Sequence, residues 1–269
     1  MEAGDLSYGD LPQILRSAAQ VIDSRKEPQG IYGLEYRRLT AIQRLLAGER
    51  VDAGQLNYNL ECFHLGVAVA GPGPTVVLEG LRSKLNSRLL LIQVDEETAW
   101  AWLGGSQQLA RADLTTMLDL EWPPDTAVAC GEPAEGLSGW RLTHRQATAA
   151  LPAAQQGPTA VVHYPKVALL ATALHDDLLS SSLRQAYLEP LEQDRDGGLT
   201  AKHTLRAYFK ACRNISSAAA ELRVDRSTVS NRLRVIEDRL GHYPDTISAE
   251  LEVALRLDEL TSHTFSPKT

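Results

Sequence analysis

The residues whose types and spacing are able to do chemistry lie between Ser216 and Gly241, and that chemistry is recognition. Arg226, Ser227, Thr228, Ser230, Asn231, Arg232 and Arg234 crowd guanidinium, hydroxyl and amide groups into a short stretch. At about 100° per residue, Val229, Leu233, Ile236 and Leu240 share one stripe, which predicts a helix buried along that side. Ser227, Asn231, Arg234 and Asp238 fall opposite it. Arg226 and Ser230 flank the exposed face on one side, and Thr228, Arg232 and Arg239 on the other. Asparagine can pair with the edge of adenine and arginine with that of guanine, whereas serine discriminates less. Side chains on the flanks suit phosphates. The expected base contacts are Ser227, Ser230, Asn231 and Arg234, and the expected phosphate contacts Arg226, Thr228 and Arg232. The plainer alternative is a solvated amphipathic helix pair with surface arginines.

The elements around this helix favour the first reading. Ser216 or Ser217 is expected to cap a short helix whose small inner face is Ala219, Ala220 and Leu222. Arg223, Val224 and Asp225 then form a turn, with Val224 as an apolar plug and Asp225 as cap of the second helix. Two helices joined this way, the second polar on its outer face, form the pattern of a helix-turn-helix DNA reader. A supporting helix is predicted over Thr200–Cys212, with Leu205, Tyr208, Phe209 and Cys212 on one side. A closing helix over Ile247–Leu260 offers Leu251, Ala254, Leu255 and Leu257 for packing.

At these residues the chain resembles the C-terminal domain of the PucR/CdaR family of bacterial transcriptional regulators. That family shows a Thr-Leu pair opening a helix, an Asn before the helix pair, and then V-H-R-N-T-L-x-Y-R-L-x-x-I-E. The matching residues are Thr204-Leu205, Asn214, and the run from Val224 to Glu237. The match departs at Asp225, Ser227 and Asn231, where the family has His, Asn and Tyr. The resemblance implies DNA binding without giving the operator.

The net charge of −7 over 269 residues argues by itself against nucleic acid, but distribution matters more than the sum. From Ala201 to Gly241, nine Lys and Arg face four acids, a balance of +5, so the remainder carries −12. Three scattered cysteines, Cys62, Cys130 and Cys212, suit a reducing compartment, and each is expected to be a small core residue. The seven histidines do not pair at helical spacing, so none is assigned to a metal. No secretory signal and no apolar run of the ~20 residues of a membrane span are visible, which points to the cytoplasm.

The rest of the chain reads in order. Residues 1–55 form an N-terminal helical segment with stripes at Leu11–Ile22 and Leu34–Leu46. Residues 56–165 form a mixed sheet domain. Its strand His64–Ala70 precedes a helix at Thr75–Leu85 with Val76, Val77, Leu78, Leu81 and Leu85 inward. A hairpin at Arg88–Val94 and Thr98–Leu103, a helix at Gln107–Leu118, a strand at Ala127–Cys130, a helix at Leu137–Ala150 and an edge strand at Val161–Tyr164 follow. This β-α-β-β-α-β order predicts an α+β fold, a ferredoxin-like sheet with helices on one face, followed by an all-α helix-turn-helix domain. Residues 166–196 read as a helical connector and 197–269 as the DNA-binding domain, with Gly197-Gly198 as boundary or hinge.

The sheet segment, with Gly136-Leu137-Ser138-Gly139-Trp140 and His144-Arg145-Gln146-Ala147, is similar to the degenerate GGDEF-like domain of PucR/CdaR regulators. A nucleotide cyclase is the enzymatic alternative. Cyclisation needs carboxylates to hold Mg²⁺ against triphosphate. His64–Ala70 carries no acid, Gly104-Gly105 is followed by Ser106-Gln107-Gln108, and Asp95, Glu96 and Glu97 suit a solvated turn. No catalytic residue, metal or cofactor is therefore assigned. A third alternative is a helix-turn-helix turned into a protein-binding surface. Double-stranded DNA is the expected partner, without a membrane. Single helix-turn-helix modules gain specificity in pairs, so a homodimer or larger assembly is expected. The resemblance also implies a small-molecule effector.

Overall fold

The computed structural model describes residues 31–85, 88–107, 122–157, 159–193 and 195–263. Two compact units divide at Gln55/Leu56. The first contains α1 (Ile31–Leu46), which ends where Arg44 Nε meets Glu49 Oε2 at 2.6 Å. The Leu11–Ile22 stripe lies outside the described residues.

In the second unit, β1 (Phe63–Ala70) leads through α2 (Pro74–Leu85) to the hairpin β2 (Arg88–Gln93) and β3 (Thr98–Gly105). Then come β4 (Ala127–Cys130), β5 (Ala134–Glu135), α3 (Gly136–Gln156) and β6 (Val161–His163). The sheet order is β2-β3-β1-β4-β6, and β5 pairs with β1. The β2/β3, β3/β1 and β1/β4 pairs are antiparallel, and β6 joins β4 in parallel. A mixed sheet is thus followed by an all-helical region, as the sequence predicts; the short β5 is a sixth strand beyond the five expected. The helix expected over Gln107–Leu118 lies, beyond Gln107, outside the described residues.

The helices do not share one face. Successive strand side chains point to opposite sides. Leu65, Val67 and Val69 of β1 pack with Ala99, Ala101, Leu103, Val128 and Leu78 of α2. The intervening Gly66 faces α3 instead: a Cβ there would fall 2.7 Å from the backbone of Thr143 and His144. Gly66 N–H donates to Thr143 Oγ1 at 2.7 Å. The single-face arrangement is therefore corrected. The small residues Gly66, Ala68, Ala127 and Ala129 make room for a second helix across the sheet. Val76, expected inward, is 76% exposed, because α2 meets the sheet along Leu78.

On the α3 side, Trp102 stacks on Trp140 with ring centroids 4.4 Å apart. Trp102 Nε1 donates to the Trp140 carbonyl oxygen at 3.0 Å. His144 stacks on Trp102 and meets Trp100 edge-on. Burial pushes the His144 imidazole down to about 3.

The predicted connector is not one helix. It divides into α4 (Tyr164–Leu174), α5 (Asp177–Leu183), a π-helical turn (Arg184–Leu188) and α6 (Glu189–Glu192). Asp176 causes the first break, since its carboxylate accepts from Leu179 N–H at 2.9 Å and caps α5. Next come α7 (Leu199–Lys210), α8 (Ile215–Leu222), α9 (Arg226–Leu240) and α10 (Ser248–His263). Leu170, Ala173, Leu183, Leu188 and Leu191 lie in one core with Leu205, Tyr208, Val229, Leu233, Ile236, Leu251 and Leu255. Segment 166–196 therefore supplies part of the hydrophobic layer on which the last helices rest. Gly198, in the left-handed region, opens α7 tightly against the Leu191 carbonyl.

Candidate nucleic-acid interface

The recognition geometry begins with the cap of α8. Asn214 Oδ1 accepts from Ser217 N–H at 3.0 Å, so the cap is Asn214 and not Ser216 or Ser217. Starting the helix earlier turns Ala218 and Ala219 inward and leaves Ala220 exposed. Arg223 ends the helix in the left-handed region at φ 55° and ψ 43°. Val224 packs, half-buried, against the core and donates its N–H to the Ala219 carbonyl at 3.0 Å. Asp225 precedes α9 with its side chain making no cap bond; its carbonyl oxygen accepts from Thr228 N–H at 3.0 Å. The expected side-chain cap at Asp225 is thereby corrected.

Val229, Leu233 and Ile236 are buried and Leu240 half-buried, so α9 buries the predicted stripe. Arg226, Ser227, Ser230, Asn231 and Arg234 are exposed, and their side chains make no hydrogen bond or ion pair with another described residue. Thr228 and Arg232 are half-buried on the flank toward α7. Arg232 Nη1 donates to Thr204 Oγ1 at 3.4 Å. Arg226 stands at the start of α9, where the partial positive charge of a helix N-terminus disfavours a cation. A cation there, without a partner among the described residues, breaks a local stability rule, and such departures are expected at functional or strained positions.

Arg223, expected only as part of the turn, stands next to this face. It is exposed beside the start of α9 and has no side-chain partner among the described residues. The signal was available: left-handed helix ends favour glycine or asparagine, and an arginine there departs from the rule.

The charge balance changes once contacts are known. Lys202 meets Glu192 and Asp258, Arg206 meets Asp258 and Glu259, and Lys210 meets Glu221. Arg213 Nη2 donates to Ser248 Oγ at 2.8 Å. Glu192, Asp258 and Glu259 lie outside the segment counted as +5, so much of that charge is neutralised within the fold. Of the exposed cations in that segment, Arg223, Arg226 and Arg234 have no side-chain partner among the described residues.

Among its described residues, the sheet domain offers no equivalent cluster. Asp95 Oδ1 accepts from Glu97 N–H at 2.9 Å, holding the acidic residues in the hairpin turn. Gly104, next to last in β3, packs against Tyr58, whose Oη would lie 2.5 Å from an added Cβ. Tyr58 Oη and His64 Nδ1 are 2.9 Å apart, and His64 Nε2 lies 3.0 Å from the Leu60 carbonyl oxygen, so hydrogen bonds at both ring nitrogens hold this buried histidine. Cys130 is buried, its thiol pushed up to about 12, and Cys62 is half-buried. Cys212 is exposed at φ 51°, which corrects its expected core role: α7 stops at Lys210 and the chain reverses there. Among the described residues no three His, Cys, Asp or Glu side chains are placed to hold a metal ion. Among them also, no helix is long and apolar enough to cross a membrane.

A short helix, a tight turn plugged by an apolar residue, and a second helix with an unpaired polar face define a helix-turn-helix protein of the DNA-binding class. Comparison with known proteins agrees. Residues 202–257 match the PucR C-terminal helix-turn-helix domain, and residues 49–153 match the GGDEF-like domain. The chain carries both domains implied by the motif resemblance. A crystal structure of a regulator of polyketide synthase expression from Bifidobacterium adolescentis is similar at 14% identity and a TM-score of 0.43. That similarity covers 89% of this chain and 96% of that one. No curated protein matches the chain. The two domain matches support a DNA-binding transcriptional regulator.

Proposed function

We propose that this protein is a sequence-specific, effector-responsive transcriptional regulator that acts in the cytoplasm as a homodimer or larger assembly. The observation that carries the reading is the outer face of α9: five polar or cationic side chains without partners among the described residues, on a helix whose inner face is buried. In this reading Ser227, Ser230, Asn231 and Arg234 contact base edges, and Arg226, Thr228 and Arg232 contact phosphates. One such module spans a single half-site, so two copies give operator specificity.

The proposed organisation is a helical segment at 1–55, a regulatory GGDEF-like domain at 56–165, a connecting layer at 166–196 and the DNA-binding domain at 197–269. The sheet domain senses a small molecule and does not turn one over. Support comes from the first strand, which carries no acid, and from the hairpin acids, which hold a turn. The test replaces Ser227, Asn231 and Arg234 together by alanine. Discrimination between the duplex upstream of the protein's own gene and an unrelated duplex is expected to vanish while the fold persists. Retained discrimination would contradict the assignment.

A further inference from the structure

A groove of about 480 Å³ runs beside α9, on the flank away from Arg226, and is lined in part by Arg195, Asp196, Thr228, Asn231 and Arg232. We propose that Arg195, Thr228 and Arg232 form a seat for one backbone phosphate of bound DNA. This extends the interface beyond the recognition helix onto the turn before α7, and it rests on the DNA-binding reading above. Arg195 lies ahead of the matched helix-turn-helix segment 202–257.

Three observations build the seat. Arg195 is exposed and its guanidinium has no partner among the described residues. Arg232 commits one donor to Thr204 Oγ1, which anchors the side chain. A guanidinium has five N–H donors, so the rest of its fork remains for a ligand. Thr228 precedes Arg232 by four residues, which places its hydroxyl on the same helical flank.

The turn holding Arg195 is fixed in advance. Asp196 accepts from Gly198 N–H at 3.0 Å through Oδ1 and from Thr200 N–H at 2.9 Å through Oδ2. Its carboxylate is thus spent on locking the turn, and the two arginines outweigh its charge. Just upstream, α6 packs on α9 and sets the distance across the groove. Arg195, Thr228 and Arg232 line one concavity beside the apolar Val235 and Ile236, and two arginines with a threonine suit a phosphodiester. A contact of this kind raises affinity without reading sequence.

The test compares wild type, Arg195→Ala and Arg195→Lys in the full-length protein. Each is titrated with the duplex upstream of its own gene and with an unrelated duplex across a range of salt. Arg195→Ala is expected to lower the slope of log affinity against log salt by about 0.9 per bound module. It should weaken both duplexes by the same factor, at an unchanged melting temperature, and Arg195→Lys should restore the slope. A slope unchanged in Arg195→Ala, with a steep wild-type slope, overturns the seat and leaves the recognition helix intact. A loss confined to the upstream duplex overturns the phosphate assignment. Wild-type protein that binds neither duplex in a salt-dependent way contradicts both the seat and the reading on which it rests.

Discussion

Lys202 Nζ lies 2.9 Å from Asp258 Oδ1 and 2.8 Å from Glu192 Oε1, with 7% of its side chain exposed. A single ammonium group thereby ties α7 to both α6 and α10, beneath the helix that carries the reading face. Removing one partner of a buried ion pair leaves charge unpaired in a poorly solvated site. Lys202→Ala is expected to cost about 3 kcal/mol, the low end for such a loss, because Arg184 and Arg206 still face the two carboxylates. Urea unfolding measures it. A cost below ~1 kcal/mol, the range of exposed pairs, would mean that water reaches the site.

Leu233 anchors the buried stripe of α9 and is 3% exposed. Leu233→Ala should lower stability by about 2–5 kcal/mol through lost burial and a residual cavity. A melting curve matching the parent's would contradict the placement of the stripe.

The two expected caps behave differently. Asn214 accepts a backbone N–H, and the Asp225 side chain does not. Asn214→Ala should therefore cost about 0.5–2 kcal/mol, and Asp225→Ala less. The order of the two denaturation midpoints decides the matter, and the reverse order would place the cap at Asp225.

His144 supplies a pH dependence. Burial keeps its imidazole neutral down to about 3, while an unfolded chain takes up the proton near 6.5. Between these values the unfolded state binds more protons, so stability falls as pH falls. The loss approaches about 1.4 kcal/mol per pH unit well below 6.5. His64 and His163 are shifted downward too, so the informative comparison is with His144→Phe, which keeps the ring between the tryptophans. The variant should lose less stability than wild type between pH 7 and pH 5. Equal losses would remove His144 from the account.

Arg226 and Arg234 separate affinity from specificity. Arg226→Ala should weaken binding to every duplex and lower the salt slope by about one. Arg234→Ala should cost roughly 1–3 kcal/mol at one operator position. Equal losses on all sequences would make Arg234 a backbone contact instead.

The reading helix was legible because its stripe recurs at four, three and four residues, and because polar groups occupy the opposite face. The strands were legible as short apolar runs between turn residues. Helix placement was not, since it depends on which strand side chains are small: Gly66 admits α3 from the side opposite Leu65. Cap identity was also hidden. Asn214, Ser216 and Ser217 can all cap, and only the backbone path selects Asn214. The charge balance misled because Lys202 and Arg206 find acids beyond the counted segment, at Glu192, Asp258 and Glu259. Arg195 was concealed by the acidic residues beside it, and its place at the α9 groove is a property of the fold.

The most direct test of the central claim is fluorescence anisotropy of the purified protein with the duplex upstream of its own gene, beside an unrelated duplex, at two salt concentrations. A DNA-binding regulator is expected to bind both more weakly as salt rises and to prefer the upstream duplex throughout. Absence of binding to either duplex, even at low salt, would contradict the account and favour a helix-turn-helix used for protein contacts.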